Sequence, residues 1–258
     1  MLHVLTHDIL PVFSMLALGF ILGRVGKVSR AEAAALNRIA FLVMQPALIF
    51  PLINGLDWGS FRLDAIAVYA GSQVALFALA FWIAYRLLRH EMLEAWLLAM
   101  TTIFVNTLLY IWPISYLIYG EAASLPITSL VAWEAAVTFA FFIVSTGVIA
   151  HRDVSAVQMV KRVAMNPVLI AIMLGSLSNV LRITIPEPLL AAMKFTGAGA
   201  PPITLFALGV VLSGHALRPS VTIGVMSGLK LLAFPALVWG GLQLGARPPE
   251  WNTLSVLC

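Results

Sequence analysis

Charged positions are so sparse along this chain that three stretches, 65–85, 95–120 and 195–217, pass without one Asp, Glu, Lys or Arg. A bilayer's hydrocarbon takes about 20 apolar helical residues to cross, and each stretch is long enough. None of them shows the polar face that returns every turn in a soluble amphipathic helix. Apolar runs divided by charged or turn-rich linkers predict eight helices, at about 9–23, 36–54, 65–88, 93–117, 125–150, 166–182, 188–214 and 221–245. The first lacks a basic leader and an A-x-A cleavage site, so it reads as a retained span rather than a signal peptide. The fold class expected from pattern alone is all-α and integral to the membrane.

Composition strengthens this. Of 258 residues 61% are hydrophobic and 10% charged, more apolar surface than a water-soluble fold of this length hides. The formal charge of +4 raises the question of nucleic acid, but the basic residues are scattered over loops and build no stripe, so a nucleic-acid partner is excluded. Their distribution is informative in another way. Arg24, Lys27, Arg30, Arg38, Arg86, Arg89, Arg152, Lys161, Arg162 and Arg218 fall on one side of the predicted topology, against Arg62, Arg182, Lys194 and Arg247 on the other. The positive-inside bias then makes the chain a multi-pass protein of the cell (inner or plasma) membrane with its N-terminus outside. The basic segment 151–165 is expected against lipid head groups.

Enzyme chemistry finds little support. Cys258 is the sole cysteine, so there is no disulfide framework or Cys metal site, and it stands too late for a prenylation box. The histidines at 3, 7, 90, 151 and 215 lie in or near loops without H-E-x-x-H spacing. Ser227-Gly-Leu-Lys230 matches S-x-x-K, but it sits in a span without the companion motifs of penicillin-binding enzymes. No metal and no cofactor is expected. Gly19-x-x-x-Gly23 and Gly224-x-x-x-Gly228 read as small-residue seams for helix packing.

The chain also matches itself. Pro11-Val12 and Leu18-Gly19 correspond to Pro167-Val168 and Leu174-Gly175, and Pro46 through Phe50 (PALIF) to Pro202 through Phe206 (PITLF), all at one offset of 156 residues. An unchanged offset across two helices argues for duplication. Five spans separate the paired starts, an odd number, so the second copy enters from the opposite face as an inverted-topology repeat. The counterpart of the fourth span would fall at about 249–273, beyond Cys258. The reading is therefore a C-terminally truncated sequence or fragment, eight helices of an expected ten, with a naturally shortened paralogue as the alternative.

Candidate chemistry gathers in a few spans. In Phe104-Val-Asn-Thr-Leu-Leu-Tyr-Ile-Trp-Pro113, proline cannot donate to the carbonyl at 109, which predicts a break or kink there. Freed backbone groups in hydrocarbon are tolerated only beside a cavity. Asn106 and Thr107 supply uncharged donors and acceptors, with Tyr110 on the same segment. The second span carries Asn37, Gln45 and Pro46; its repeat partner carries the Gly197–Pro202 run, with Pro202 at the position of Pro46, and Thr204, and both copies are expected to be bent. Broken helix ends favour anions at N-termini and cations at C-termini. Glu134 and Lys230 are intramembrane charges, expected to act as proton relay, ion ligand or mutual partner, and Gln73 is a weaker candidate. For each of these the bland alternative is a packing kink or a snorkelling side chain.

Together, Pro11-Val-Phe, Leu18-Gly19-Phe20, Leu36-Asn37, Pro46-Ala-Leu-Ile-Phe50, Asn106-Thr107 with Pro113, Asn166-Pro167-Val-Leu-Ile-Ala171, Pro186-Glu-Pro188 and Leu205-Phe206-Ala-Leu-Gly209 resemble the auxin efflux carrier family in its short prokaryotic, malate/malonate-type branch. The resemblance implies an inverted-repeat transporter fold like that of bile-acid symporters. Scaffold helices would occupy 9–55 and 166–214, transport-domain helices 62–150, and the incomplete second transport half 221–258. It implies a secondary permease for small organic anions such as dicarboxylates, working by an elevator motion, with substrate beside Asn106, Thr107 and Pro113. A coupling proton or sodium ion, lipid and a homodimer partner are the other expected associations. The family pattern N-T-G-x-x-G-x-P is broken by Leu108 and Ile111, which implies a stiffer crossover and a narrower pocket. The alternatives are a sodium-coupled carrier of the bile-acid type and a membrane protein that does not transport.

Overall fold

The computed structural model describes residues 9–57, 62–119, 125–150, 161, 163–215 and 219–245. Residues 151–160 and 162 of the basic segment, and 246–258 including Cys258, lie outside the described residues. Among those described the chain is helical, with no strand. Among the described residues six segments are long and apolar enough to cross a membrane: Arg30–Asn54, Leu63–Leu87, Met92–Ser115, Pro126–Ala150, Glu187–Ser213 and Val221–Leu244. Leu10–Arg24 and Pro167–Val180 are shorter apolar helices. Exposed Leu231, Leu232, Val221 and Phe195 are what a lipid-facing surface requires.

The elements in chain order are α1 Leu10–Arg24, α2 Arg30–Ile39, α3 Gln45–Asn54, α4 Leu63–Trp82, α5 Met92–Ile103, α6 Trp112–Tyr119, α7 Leu125–Trp133, α8 Phe139–Ala150, α9 Pro167–Val180, α10 Glu187–Gly197, α11 Ala200–Ser213, α12 Val221–Gly228 and α13 Phe234–Leu244. Wider π turns interrupt the spans at Ala40–Met44, Ile83–Leu87, Thr107–Ile111, Glu134–Thr138 and Leu229–Ala233. Three of these turns end two residues before a proline: Pro46, Pro113 and Pro235. A proline has no N–H and its ring clashes with the carbonyl one turn back, and a π turn draws that carbonyl aside. The helix then continues through the proline instead of breaking on it. Among the described residues three helix starts are capped by short polar side chains, at Ser29, Asn166 and Ser220. Ser29 and Glu32 form a reciprocal capping box, and Asn166 Oδ1 accepts from Val168 N and Leu169 N ahead of Pro167.

The contacts divide the chain into two compact units. The first comprises residues up to Asp57, Asn106–Ala132 and Met165–Leu217. In it α1 crosses α11 with backbones touching: a Cβ on Gly19 would overlap the Phe206 carbonyl, and one on Gly209 would overlap the Leu16 carbonyl. Gly23 likewise lies against Val210 and Ser213. The α9–α3 crossing is built alike, since a Cβ on Gly175 would meet the Phe50 carbonyl at 3.1 Å. Gly19 and Gly175 are 156 residues apart, and so are Phe50 and Phe206. These two crossings thus use positions related by the same 156-residue offset, with the partners exchanged. By contrast, nothing lies within 4 Å of a Cβ on Gly224 or Gly228, so the second small-residue motif forms no seam among the described residues.

The second unit comprises Trp58–Val105, Trp133–Ala164 and Arg218–Cys258. Ala80, Ala84, Ala95, Ala99 and Met226 form a small-residue core between α4, α5 and α12. Phe77, Phe81, Trp96 and Phe141 pack edge-on and tilted beside it. At the start of α12, Thr222 Oγ1 lies 2.9 Å from His90 Nε2.

Overpacking a tight helix crossing costs about 1–3 kcal/mol, whereas a substitution into open space stays within about 0.5 kcal/mol. Gly19→Ala and Gly209→Ala are therefore expected to lower unfolding stability in detergent by the larger amount and Gly224→Ala by no more than the smaller. Equal melting of all three would contradict the crossing.

Candidate functional site

The span Met92–Ser115 is interrupted in its middle. Helix α5 ends at Ile103, Phe104 is extended (φ −85°, ψ 108°), and Asn106 (φ −82°, ψ 64°) opens the π turn Thr107–Ile111. The β-branched run Thr101-Thr102-Ile103, followed by Val105, is poor helix material. Thr101 and Thr102 turn their hydroxyls back on the carbonyls of Leu98 and Ala99, each at 2.7 Å. Asn106 suits a helix entry. Its carbonyl accepts from Tyr110 N at 3.0 Å and Ile111 N at 3.3 Å. The break therefore falls at 104–106, not at the carbonyl of residue 109 below Pro113. Pro113 is the second residue of α6, where the preceding π turn accommodates it.

A helix end inside a membrane leaves carbonyls without N–H partners, which must be satisfied locally. The second unit supplies the partners. Lys230, on the π turn Leu229–Ala233, donates from Nζ to Thr101 O at 2.8 Å and to Phe104 O at 2.7 Å. Gln73 of α4 donates from Nε2 to Ile103 O at 3.3 Å. An ammonium at a helix C-terminus also meets the negative end of the helix dipole. The Phe104 ring lies near those of Phe139 and Phe142, with centroids 6.0 and 6.1 Å away.

Gln73 links this helix end to a buried carboxylate. Glu134, 5% exposed, accepts at Oε1 from Tyr69 Oη at 2.6 Å and from Gln73 Nε2 at 2.7 Å. Gln73 Oε1 accepts from Trp133 Nε1 at 2.9 Å and Thr138 Oγ1 at 3.4 Å. An indole nitrogen only donates, so Trp133 fixes which end of the Gln73 amide faces Glu134. Glu134 Oε2 is buried and has no hydrogen-bond partner among the described residues. Glu134 and Lys230 are not ion-paired; they are joined through Gln73 and the end of α5.

The first unit holds the other sequence candidates. Asn106 is exposed and its side chain makes no cap. Thr107 is buried, and its Oγ1 has no partner among the described residues. Leu109 packs with Leu48, Ala200 and Met44, and Tyr110 meets Phe13 edge-on at 5.5 Å. Met44 and Ala200 are 156 residues apart, so the turn Thr107–Ile111 lies against two positions related by that offset, just before Pro46 and Pro202. Gln45 is half-buried, and Thr204 Oγ1 is buried without a partner among the described residues. Around Pro202 the chain departs from expectation. Ala198 (φ −58°, ψ −23°) and Gly199 (φ −76°, ψ −16°) keep helical angles, so α10 and α11 meet at a tightened turn rather than an unwound stretch.

Sequence reasoning missed Tyr69, Trp133 and Thr138. One usable signal was there: Tyr69 and Gln73 are four residues apart, hence on one face of α4. Among the described residues no three His, Cys, Asp or Glu side chains cluster as metal ligands.

Apolar spans, an interrupted helix in the middle of one of them and buried polar groups around the interruption are features of multi-pass membrane transport proteins. Comparison with known proteins agrees. Residues 4–156 match the family model described as membrane transport protein, and the chain belongs to that family, the auxin efflux carrier family. It is 29% identical over 264 residues to a Rhizobium meliloti protein named "Putative malonate transporter", covering 98% of this chain and 81% of that one. It is 25% identical over 246 residues to an "Uncharacterized transporter" of Methanothermobacter thermautotrophicus, covering 91% and 77%.

A buried hydrogen-bonding group left without its partner costs about 1–3 kcal/mol. Lys230→Met should therefore destabilise the chain by about that amount or more, read by denaturant unfolding in micelles, because it leaves the Thr101 and Phe104 carbonyls unsatisfied. A neutral effect would show that the ammonium does not hold the end of α5.

Proposed function

We infer that the chain is a secondary permease for small organic anions of the dicarboxylate type. The observation that carries this is the interrupted span. Asn106 stands exposed at the middle of an apolar segment, at the N-terminal end of a half-helix whose first N–H groups lack intrahelical partners. Such an end binds carboxylates through backbone N–H groups and the aligned dipole. The Asn106 amide would add a directed hydrogen bond, and the Thr107 hydroxyl stands at the same end. The name of the Rhizobium meliloti relative directs the choice of substrate to malonate.

Alternating access by an elevator-type motion goes with this reading. Its support is the constant 156-residue offset, whose positions recur in the Gly19–Phe206 and Gly175–Phe50 crossings. In an inverted repeat, two such like crossings would present equivalent scaffold faces toward both sides of a membrane.

A hydrogen bond to a charged group contributes about 1.5–3 kcal/mol, roughly ten- to hundredfold in affinity. In proteoliposomes, labelled malonate counterflow should fall by that factor in Asn106→Ala while thermal stability stays near the parent value. Unchanged counterflow in the variant would remove Asn106 from the site, and no counterflow of any dicarboxylate by the parent chain would remove the function.

A further inference from the structure

The group left unused by that reading is Glu134. Its Oε1 is held by two donors, while Oε2 is buried and has no partner among the described residues. An ionised oxygen in that position is costly without a counter-charge, and a neutral carboxyl much less so. Among the described residues the ionisable groups around it are few. Tyr69 on α4 donates to Oε1, and the Lys230 ammonium stands at the end of α5, to which Gln73 links Glu134. Asp64 of α4 is exposed and paired with Arg62 at 2.7 Å, and Glu94 of α5 pairs with His90 at 3.0 Å.

The surrounding atoms also select the ion. A hard metal cation needs a shell of several oxygens. Here Tyr69 and Gln73 turn O–H and N–H toward the carboxylate, and the Gln73 oxygen is taken by Trp133 and Thr138. That leaves a single open oxygen, which suits a proton.

We propose that Glu134 is the proton-binding site of the carrier, and that the proton it takes up crosses with the transported anion. With Glu134 ionised, its charge and that of Lys230 cancel within the spans, and a bound dicarboxylate adds uncompensated negative charge in low dielectric. When a proton from the aqueous side adds to Oε2, the O–H bond formed leaves the spans one net positive charge, which offsets part of the anion's charge. Anion and proton are then bound together and cross together, a symport in which each favours the other to the same degree. This rests on the organic-anion reading above and adds the coupling ion.

The test uses the full chain, purified in detergent, in weakly buffered solution with a pH indicator. Adding malonate should draw protons from solution, approaching one per malonate bound, and Glu134→Gln should lose that uptake. Malonate binding without proton uptake by the parent chain, or uptake that persists in Glu134→Gln, would overturn the proposal. Should the variant fail to fold, the parent chain in proteoliposomes decides. Accumulation of malonate driven by an imposed pH gradient without sodium supports the proposal, and accumulation that follows a sodium gradient and ignores pH overturns it. Absent counterflow marks failure of the permease reading, whereas intact counterflow with no proton movement marks failure of this inference alone.

Discussion

Inside a bilayer every backbone carbonyl needs a donor, and this constraint organises the second unit. Helix α5 stops in the middle of its span, and three carbonyls at its end, those of Thr101, Ile103 and Phe104, are taken by Lys230 and Gln73. An intramembrane lysine would otherwise be an expensive residue. Here the expense of its charge and that of the open helix end offset each other. Gln73 then passes the constraint on, because the amide that serves Ile103 also serves Glu134 and is oriented by Trp133. A broken helix, a cation and a carboxylate form one connected arrangement, none of whose parts is independent of the others.

The first unit answers a different requirement. Without a hydrophobic drive between helices in lipid, close association depends on small residues that let backbones touch. Gly19, Gly23, Gly175, Gly197 and Gly209 all lie where a side chain would crowd the neighbouring helix. Two of them, Gly19 and Gly175, are 156 residues apart, and so are the residues they meet, Phe206 and Phe50. The crossover turn packs beside them through Leu109, against Leu48 and Ala200, and leaves Asn106 exposed.

Much of this was readable along the chain because it is local or periodic. Charge-free stretches gave the spans, and the constant offset pointed to Gly19 and Gly175 before any contact was known. Proline positions were less informative than expected: Pro46, Pro113 and Pro235 are absorbed by π turns, and the real interruption follows from a β-branched run that carries no strong signal by itself. The Gly197–Pro202 run stayed near-helical, since glycine permits an unwound backbone without requiring it. The Tyr69–Gln73–Glu134–Trp133 network joins residues more than sixty positions apart, and nothing in one sequence states that pairing. Glu134 and Lys230 stood out singly because charges in spans are rare; their link through the end of α5 is a product of folding.

The account depends on the interruption presenting residue 106 to water at the middle of a membrane span. With Cys258 replaced by serine, removing the chain's sole cysteine, Asn106→Cys places a thiol there. In intact membranes that thiol should react with a small charged aqueous reagent, and malonate should slow the reaction. A thiol in the Asn106→Cys variant as unreactive as one introduced by Ala99→Cys, at a buried position of α5, would show that the span is closed to water and contradict the account.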